Sequence, residues 1–250
     1  MRKTLLSIVA MLAFATPFVS AQDQEVFDAG LPEKLFTIGI RTGVNTSNLS
    51  DNRSSAITDL RSARNQWKAG FSIGAVVDIN VRNFLVLQPG FFLQTRNHDY
   101  NYTMVGQNAD YWGNIEGNRS CSYFQIPILA SLRKDFTEDL QVQVDFGPYF
   151  MYGIGGEDEQ KYFEVDFGTP QADKEINSGY REYDYFGSDG AVKGYDWGFK
   201  FGAGVVVMKH YYIGVHYEAG CRNVLKTPEG SKHEYSGRNK AWNFTVGYNF

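Results

Sequence analysis

The chain has 250 residues, a formal net charge of −4, 16% aromatic residues, 26 glycines and two cysteines. No basic stripe is present, so nucleic acid is excluded as an expected partner. The two cysteines fit neither a zinc pattern nor a C-x-x-C pair, and the length suits one domain of barrel or sandwich size.

At the N-terminus, Arg2 and Lys3 precede the apolar run LLSIVAMLAFATPFV, and Ser20 and Ala21 supply small residues before Gln22. That order is a secretory signal peptide over residues 1–21. A single-pass anchor is the competing reading, opposed by Pro17 and by the lack of a basic stop-transfer flank. Gln22 in place of a cysteine argues against a lipoprotein. Residues 22–34 then read as a short periplasmic segment ahead of a barrel domain spanning 35–250. Past residue 21 no run of about twenty apolar residues remains, so no transmembrane helix is expected.

From there to the end, period-two alternation marks eight segments, at about 35–45, 68–80, 84–97, 121–133, 140–154, 194–208, 210–222 and 240–250. Each is long enough for a tilted strand to cross a bilayer, about 9–11 residues. One parity is apolar throughout, for example Phe36, Ile38, Ile40 and Val44, or Trp197, Phe199, Phe201, Ala203 and Val205. The other carries the charges of the strand centres (Arg41, Asp78, Asp145, Lys200 and Glu218), together with His216 and many Gly, Gln and Asn residues. A soluble lipocalin-type barrel would need a densely charged outer face, and the polar parity here is mostly uncharged. An all-β, eight-stranded antiparallel up-and-down transmembrane barrel, small and OmpA/OmpX-like, fits better, with lipid outside and a polar interior. Closure is required because an open sheet edge cannot exist in hydrocarbon.

Aromatic residues gather near the segment ends as interfacial girdles do. Trp67, Tyr152, Trp197 and Trp242 mark one rim; Phe36, Phe136, Tyr211 and Phe250 mark the other. The links 80–83, 134–139 and around Lys209 are short, whereas 46–67, 98–120, 155–193 and 223–239 are long, which places both termini in the periplasm of a Gram-negative envelope and the long loops outside. The loop 155–193 holds ten acidic residues interleaved with aromatics such as Tyr180, Tyr183 and Tyr185. Pro89, Pro127 and Pro148 fall inside neighbouring strands, where a missing N–H breaks the ladder. A seam of bulges or lost hydrogen bonds along one wall is expected there.

The stretches FTIGIRTGVNTSNLS (36–50), YFQIPILASLR (123–133), DFGPYFMYGIGG (145–156), YDWGFKFGAGVVV (195–207) and NFTVGYNF (243–250) together resemble the PorT-like, or porin-family, outer-membrane β-barrel proteins of Bacteroidetes. The resemblance touches nearly every strand. It implies an architecture more than an activity; one branch of that family assists protein secretion across the outer membrane. The terminal Phe250 resembles the signal read by barrel-assembly machinery. Where the family often has an acidic residue in its YxEIP stretch, this chain has Gln125.

These observations frame the functional expectations. Arg41, Asp78, Asp145, Lys200, His216 and Glu218 form an interior charge network, read as a salt-bridged plug in preference to a narrow pore, since buried charges must pair. His216 and Glu218 lie two apart on one strand face, which raises a lipid-modifying enzyme as a third reading, but no serine is tied to them and no catalytic residue is assigned. No cofactor or metal is expected, because the carboxylates of 155–193 lack EF-hand spacing. Outer-membrane lipid and lipopolysaccharide, the assembly machinery and a protein docking on 155–193 are the expected partners. Trp67, Trp197, Tyr211, Trp242 and Phe250 are the interface aromatics, and Cys121 and Cys221 are a candidate disulfide across the mouth, with two free thiols the favoured reading because their strands are not neighbours. The leading function is a non-enzymatic outer-membrane barrel that presents external loops or assists secretion or envelope assembly.

Overall fold

A computed structural model describes residues 27–51, 60–106, 111–166, 175–186, 190, 192–227 and 234–250; the expected signal peptide lies outside them. They form nine antiparallel strands: β1 (Phe36–Asp51), β2 (Leu60–Arg82), β3 (Leu85–Val105), β4 (Tyr111–Thr137), β5 (Leu140–Asp166), β6 (Glu175–Asp184), β7 (Tyr195–Val207), β8 (Tyr211–Gly220) and β9 (Gly237–Asn249). Eight of these close into a ring, running from β1 through β5, then β7 to β9, and back to β1. The chain termini lie at one end, and the opposite end is called distal below.

The side chains divide as a lipid-facing barrel demands. Phe36 is 58% exposed and Val44 59%, and Phe71, Phe91, Phe146, Phe244 and Val246 also face outward. Arg41 (3%), Asp145 (1%) and Glu218 (1%) face the interior. Neighbouring strands approach closely enough at some points to need glycine. A Cβ on Gly43 would collide with the Phe244 carbonyl oxygen, and one on Gly202 with that of Val215. Trp67, Trp197, Tyr211, Trp242 and Phe250 are all exposed on the outer surface.

Three expectations meet their outcome here, and the first requires correction. First, the strands run much farther distally than alternation indicates. The stretches 46–67 and 98–120 are largely strand rather than loop: Asn48 to Asp51 stay paired with β9 and Leu60 to Trp67 with β3, while β3 and β4 are paired continuously from Phe92↔Gln125 to Val105↔Trp112. The acidic stretch 155–193 is also largely strand: β5 continues to Asp166, and β6 returns alongside it in an unbroken ten-pair ladder. Above Tyr152, then, β5 exchanges its partner β7 for β6. The result is a five-stranded extension, β2 to β6, standing on one side of the barrel.

Second, the seam at the three prolines takes the form of lost pairing, one of the two expected forms, and no bulge. The β2–β3 ladder skips from Val76↔Gly90 to Ile79↔Leu87. The β3–β4 ladder skips from Pro89↔Ile128 to Phe92↔Gln125, and β4–β5 from Pro127↔Tyr149 to Ala130↔Phe146. Register is the same on both sides of each gap, as expected when only an N–H is lost. Pro148 nonetheless pairs with Phe199 in a continuous β5–β7 ladder. Register shifts occur elsewhere, between Trp67 and Ser72 and between Ser122 and Tyr123.

Third, Cys121 and Cys221 are free thiols. Cys121 points into the barrel and donates to the Arg96 carbonyl at 2.8 Å, while Cys221 lies just beyond β8, so no disulfide spans the mouth.

At the terminal end the links are tight. Met208 and Lys209 both adopt positive φ, 52° and 62°, as the central residues of the turn closed by the His210 N–H donating to the Val207 carbonyl at 3.2 Å, although neither is a glycine or asparagine. His210 stacks on Tyr248 at 5.2 Å and meets the Asn249 carbonyl at 2.7 Å. The segment before β1 is clamped to the β2–β3 turn. Asp28 accepts from Asn83 at 2.6 Å, and Phe27 packs against Phe84.

Candidate functional site

Inward-facing residues of all eight ring strands meet along the barrel axis in three polar layers. Nearest the termini, Asp78 accepts from Arg133 and Gln88, each at 2.6 Å. Arg41 lies at the same end, donating to Asn249 at 2.7 Å and resting 4.3 Å over the Tyr212 ring. It pairs with an amide and an aromatic face rather than with a carboxylate, contrary to expectation. In the middle layer Asp145 accepts from Ser131, from Gln143 at 2.9 Å, and is 2.9 Å from His216 Nε2.

The distal layer centres on Glu218. Arg96 and Lys200 both pair with it, Lys200 at 3.1 Å. Gln125 and Asn243 each donate to it at 2.9 Å. Gln125 thus offers Glu218 an amide donor and not a second carboxylate. Each carboxylate of the network therefore meets at least one basic group, as buried charges must.

The six expected interior residues are all buried, but they do not make one cluster. His216 turns to Asp145 and Glu218 to the two cations, so the H-x-E pair shares no common target. Ser131 donates to Asp145 and not to His216. Arg96 and Arg133, essential to the pairing, were missed because they end their alternating segments and resemble interfacial flanks. Their parity, shared with Gln94 and Gln125, is the signal that would have found them.

Little space remains among these groups. A void of about 20 Å³ sits between Arg41, Gln88, Lys200, Tyr212 and His216, room for roughly one water. His216 Nδ1 and Arg96 Nε, both buried, have no hydrogen-bond partner among the described residues. A larger cavity of about 470 Å³ opens at the terminal mouth, beside Asp78, Arg133, Asp135 and Lys209.

The distal mouth is closed by apolar packing. Val192 bridges to Leu225 across two connecting segments. Val192, Val224, Leu225 and Tyr185 pack onto Leu49, Cys121, Tyr123, Tyr149 and Met151 from the barrel walls. Asn223 holds this lid in shape, donating to the Tyr235 carbonyl and accepting from Leu225 and Gly237. Beside it, Asp196 accepts from Asn239 at 2.9 Å.

Beyond the lid, the inner face of the extension has its own buried pair. Arg119 donates to Asp158 at 2.7 Å, and the Tyr100 hydroxyl donates to the same carboxylate at 2.7 Å. Burial works against the Arg119 charge, but Asp158, with the tyrosines around it, outweighs that and holds the guanidinium above its ordinary pKa. Burial and the bond to Asp158 push the Tyr100 phenol up. The outer face of the extension is polar, carrying Lys68 bridged to Asp99 and Asn118.

A scan against family models matches residues 20–226 to the outer membrane protein beta-barrel domain. The chain belongs to this family. The barrel is accordingly an outer-membrane one, and its exposed Phe, Ile and Val side chains are its lipid-facing surface. A search of curated proteins found no match. Among solved structures, the barrel is similar to Ail, the attachment invasion locus protein of Yersinia pestis, in complex with the heparin analogue sucrose octasulfate (13% identity, covering 87% of this chain and 100% of that one, TM-score 0.37). It is also similar to OprG from Pseudomonas aeruginosa (10% identity, 91% and 99% covered, TM-score 0.37), and to Neisserial surface protein A (9% identity, 85% and 97% covered, TM-score 0.32).

Proposed function

We propose that this protein is a non-enzymatic scaffold of the outer membrane, whose filled barrel anchors the β2–β6 extension on the external side as a recognition surface. In this reading it belongs with the PorT-like proteins of Bacteroidetes and serves as an accessory in secretion or envelope assembly, while Phe250 is the residue that assembly machinery reads. The observation that carries the proposal is the interior itself. Three paired polar layers leave a void of about 20 Å³, and an apolar lid closes the distal mouth, so the barrel is built to hold a sheet and not to pass solute. Placing the long hairpins outside follows the outer-membrane pattern of short periplasmic turns and long external connections. Lipid and lipopolysaccharide then surround the barrel wall.

Reconstitution of the purified barrel in planar bilayers is the test. The expected result is no unitary conductance. Regular conductance steps would replace the scaffold reading with that of a narrow channel, for which the charged interior is the supporting feature.

A further inference from the structure

Above the barrel, β6 is paired on one side only. It ends the strand order, with β5 as its sole partner among the described residues. Its ladder is regular over ten pairs, from Glu157↔Asp184 to Asp166↔Glu175, which makes an edge about 33 Å long. Edge strands are usually blunted by charged side chains, lysine above all, or by proline, a bulge or a covering element. β6 contains no proline or lysine and its register has no shift; Ser178, Tyr180, Arg181, Glu182 and Asp184 are all exposed, and the predominantly acidic charge among them repels an acidic strand but not a basic one.

The charges beside this edge are arranged unfavourably for the chain alone. Glu159 lies directly opposite Glu182, and Glu157 directly opposite Asp184. Like charges in directly opposed cross-strand positions repel, and the next pair on the same face, Lys161↔Tyr180, offers one cation for four carboxylates, because Arg181 lies on the opposite face, over the Tyr162 ring. An added strand with basic residues facing Glu182 and Asp184 would relieve both repulsions while satisfying the open backbone groups.

We propose that the β6 edge is a docking site for an extended, basic segment of a partner protein, which adds to the sheet as a further strand. Main-chain hydrogen bonds supply the affinity of such an addition and alternate side chains its specificity. A second copy of this chain would bring the same carboxylates to the edge and is disfavoured by charge. This inference rests on the external presentation proposed above.

The experiment uses the full mature protein in nanodiscs and a short fluorescein-labelled peptide alternating lysine with valine, read by fluorescence anisotropy. A second peptide carries the same side chains but N-methyl groups on alternate backbone nitrogens. Saturable binding of the first peptide and loss of binding by the second is the expected result. Glu182→Gln with Asp184→Asn weakens it about tenfold, equivalent to roughly 1.4 kcal/mol, in protein that keeps its heat-dependent gel shift. Equal binding of both peptides, or indifference to the double substitution, overturns the inference, as does a stable dimer that excludes the peptide. External presentation is read separately, by labelling Glu182→Cys in a Cys221→Ser background on intact cells with an impermeant maleimide. Absence of label there defeats the presentation reading, whereas label without peptide binding defeats strand addition alone.

Discussion

Replacing Glu218 tests the filled interior most directly. In Glu218→Ala, Arg96 and Lys200 lose their shared carboxylate, and the amides of Gln125 and Asn243 lose an acceptor. All four groups are buried. Removing one partner of a buried ion pair costs about 3–5 kcal/mol, because the charge left behind is uncompensated. The two amides would add about 1–3 kcal/mol each if nothing relaxed, but water admitted to the new space offsets much of that, so the expected loss stays near 3–5 kcal/mol. Replacing Glu218, Arg96 and Lys200 by Met together with Gln125 and Asn243 by Leu removes the charges and the amides that depend on them, and should lie within about 1 kcal/mol of the parent, since apolar replacement of a whole buried network is often neutral. Urea unfolding of the micelle-embedded barrel, followed by tryptophan emission, measures both. A loss below about 1 kcal/mol for Glu218→Ala would mean that water already solvates this layer, and the plug would have to be abandoned.

Other predictions address closure, turn strain and the extension. Gly43→Val should abolish the heat-dependent gel shift, because the new Cβ meets the backbone of Phe244 and Thr245, which cannot swing aside as a side chain would. Met208→Asn with Lys209→Gly should stabilise the barrel by about 1 kcal/mol, since each parent residue holds a left-handed conformation costly to an L side chain; an unchanged urea midpoint would contradict this. Partial desolvation, then the carboxylates of Glu159 and Glu182, hold the Tyr180 phenol above its ordinary range. In ultraviolet difference titration against Tyr180→Phe, the Tyr180 transition should therefore move to lower pH in Glu159→Gln.

The barrel was legible in the sequence because lipid on one side and a polar interior on the other force strict alternation on each strand. That contrast inverts in the extension. Along NHDYNYTMV (97–105) the outward positions Asn97, Asp99, Asn101 and Thr103 are polar and the inward Tyr100, Tyr102 and Met104 are aromatic or apolar, so a search for a lipid-facing parity stops although β3 continues through it. β6 fails the search because polar residues occupy both of its parities. Which interior groups pair was not legible either. Glu218 on β8 meets Arg96 on β3 across the barrel, a contact fixed by closure and stagger that no single strand encodes. Arg41 illustrates the limit from the other side: its inward parity was evident, but its partners, Asn249 and the Tyr212 ring, depend on how β1, β8 and β9 align.

The same alternation, followed on the outer face alone, locates the distal edge of the membrane. On β4 the outward residues are Leu132, Ala130, Ile128, Ile126 and Phe124, and then Ser122, Ser120, Asn118 and Glu116. On β5 they run Val142, Val144, Phe146, Phe150 and Tyr152, and then, past the register shift beside Ser122, Glu157, Glu159 and Lys161. On β3 the change comes after Phe91 and Leu93, at Thr95, Asn97 and Asp99. Backbone pairing passes through this boundary, so hydrogen bonding does not set it; the solvent outside does. Apolar side chains are favoured only where lipid meets them, and charged ones only where water does. One continuous sheet therefore serves two solvents. A rigid extension rooted in the barrel wall loses little conformational entropy on meeting a partner, whereas a flexible loop in its place would pay that cost at each encounter.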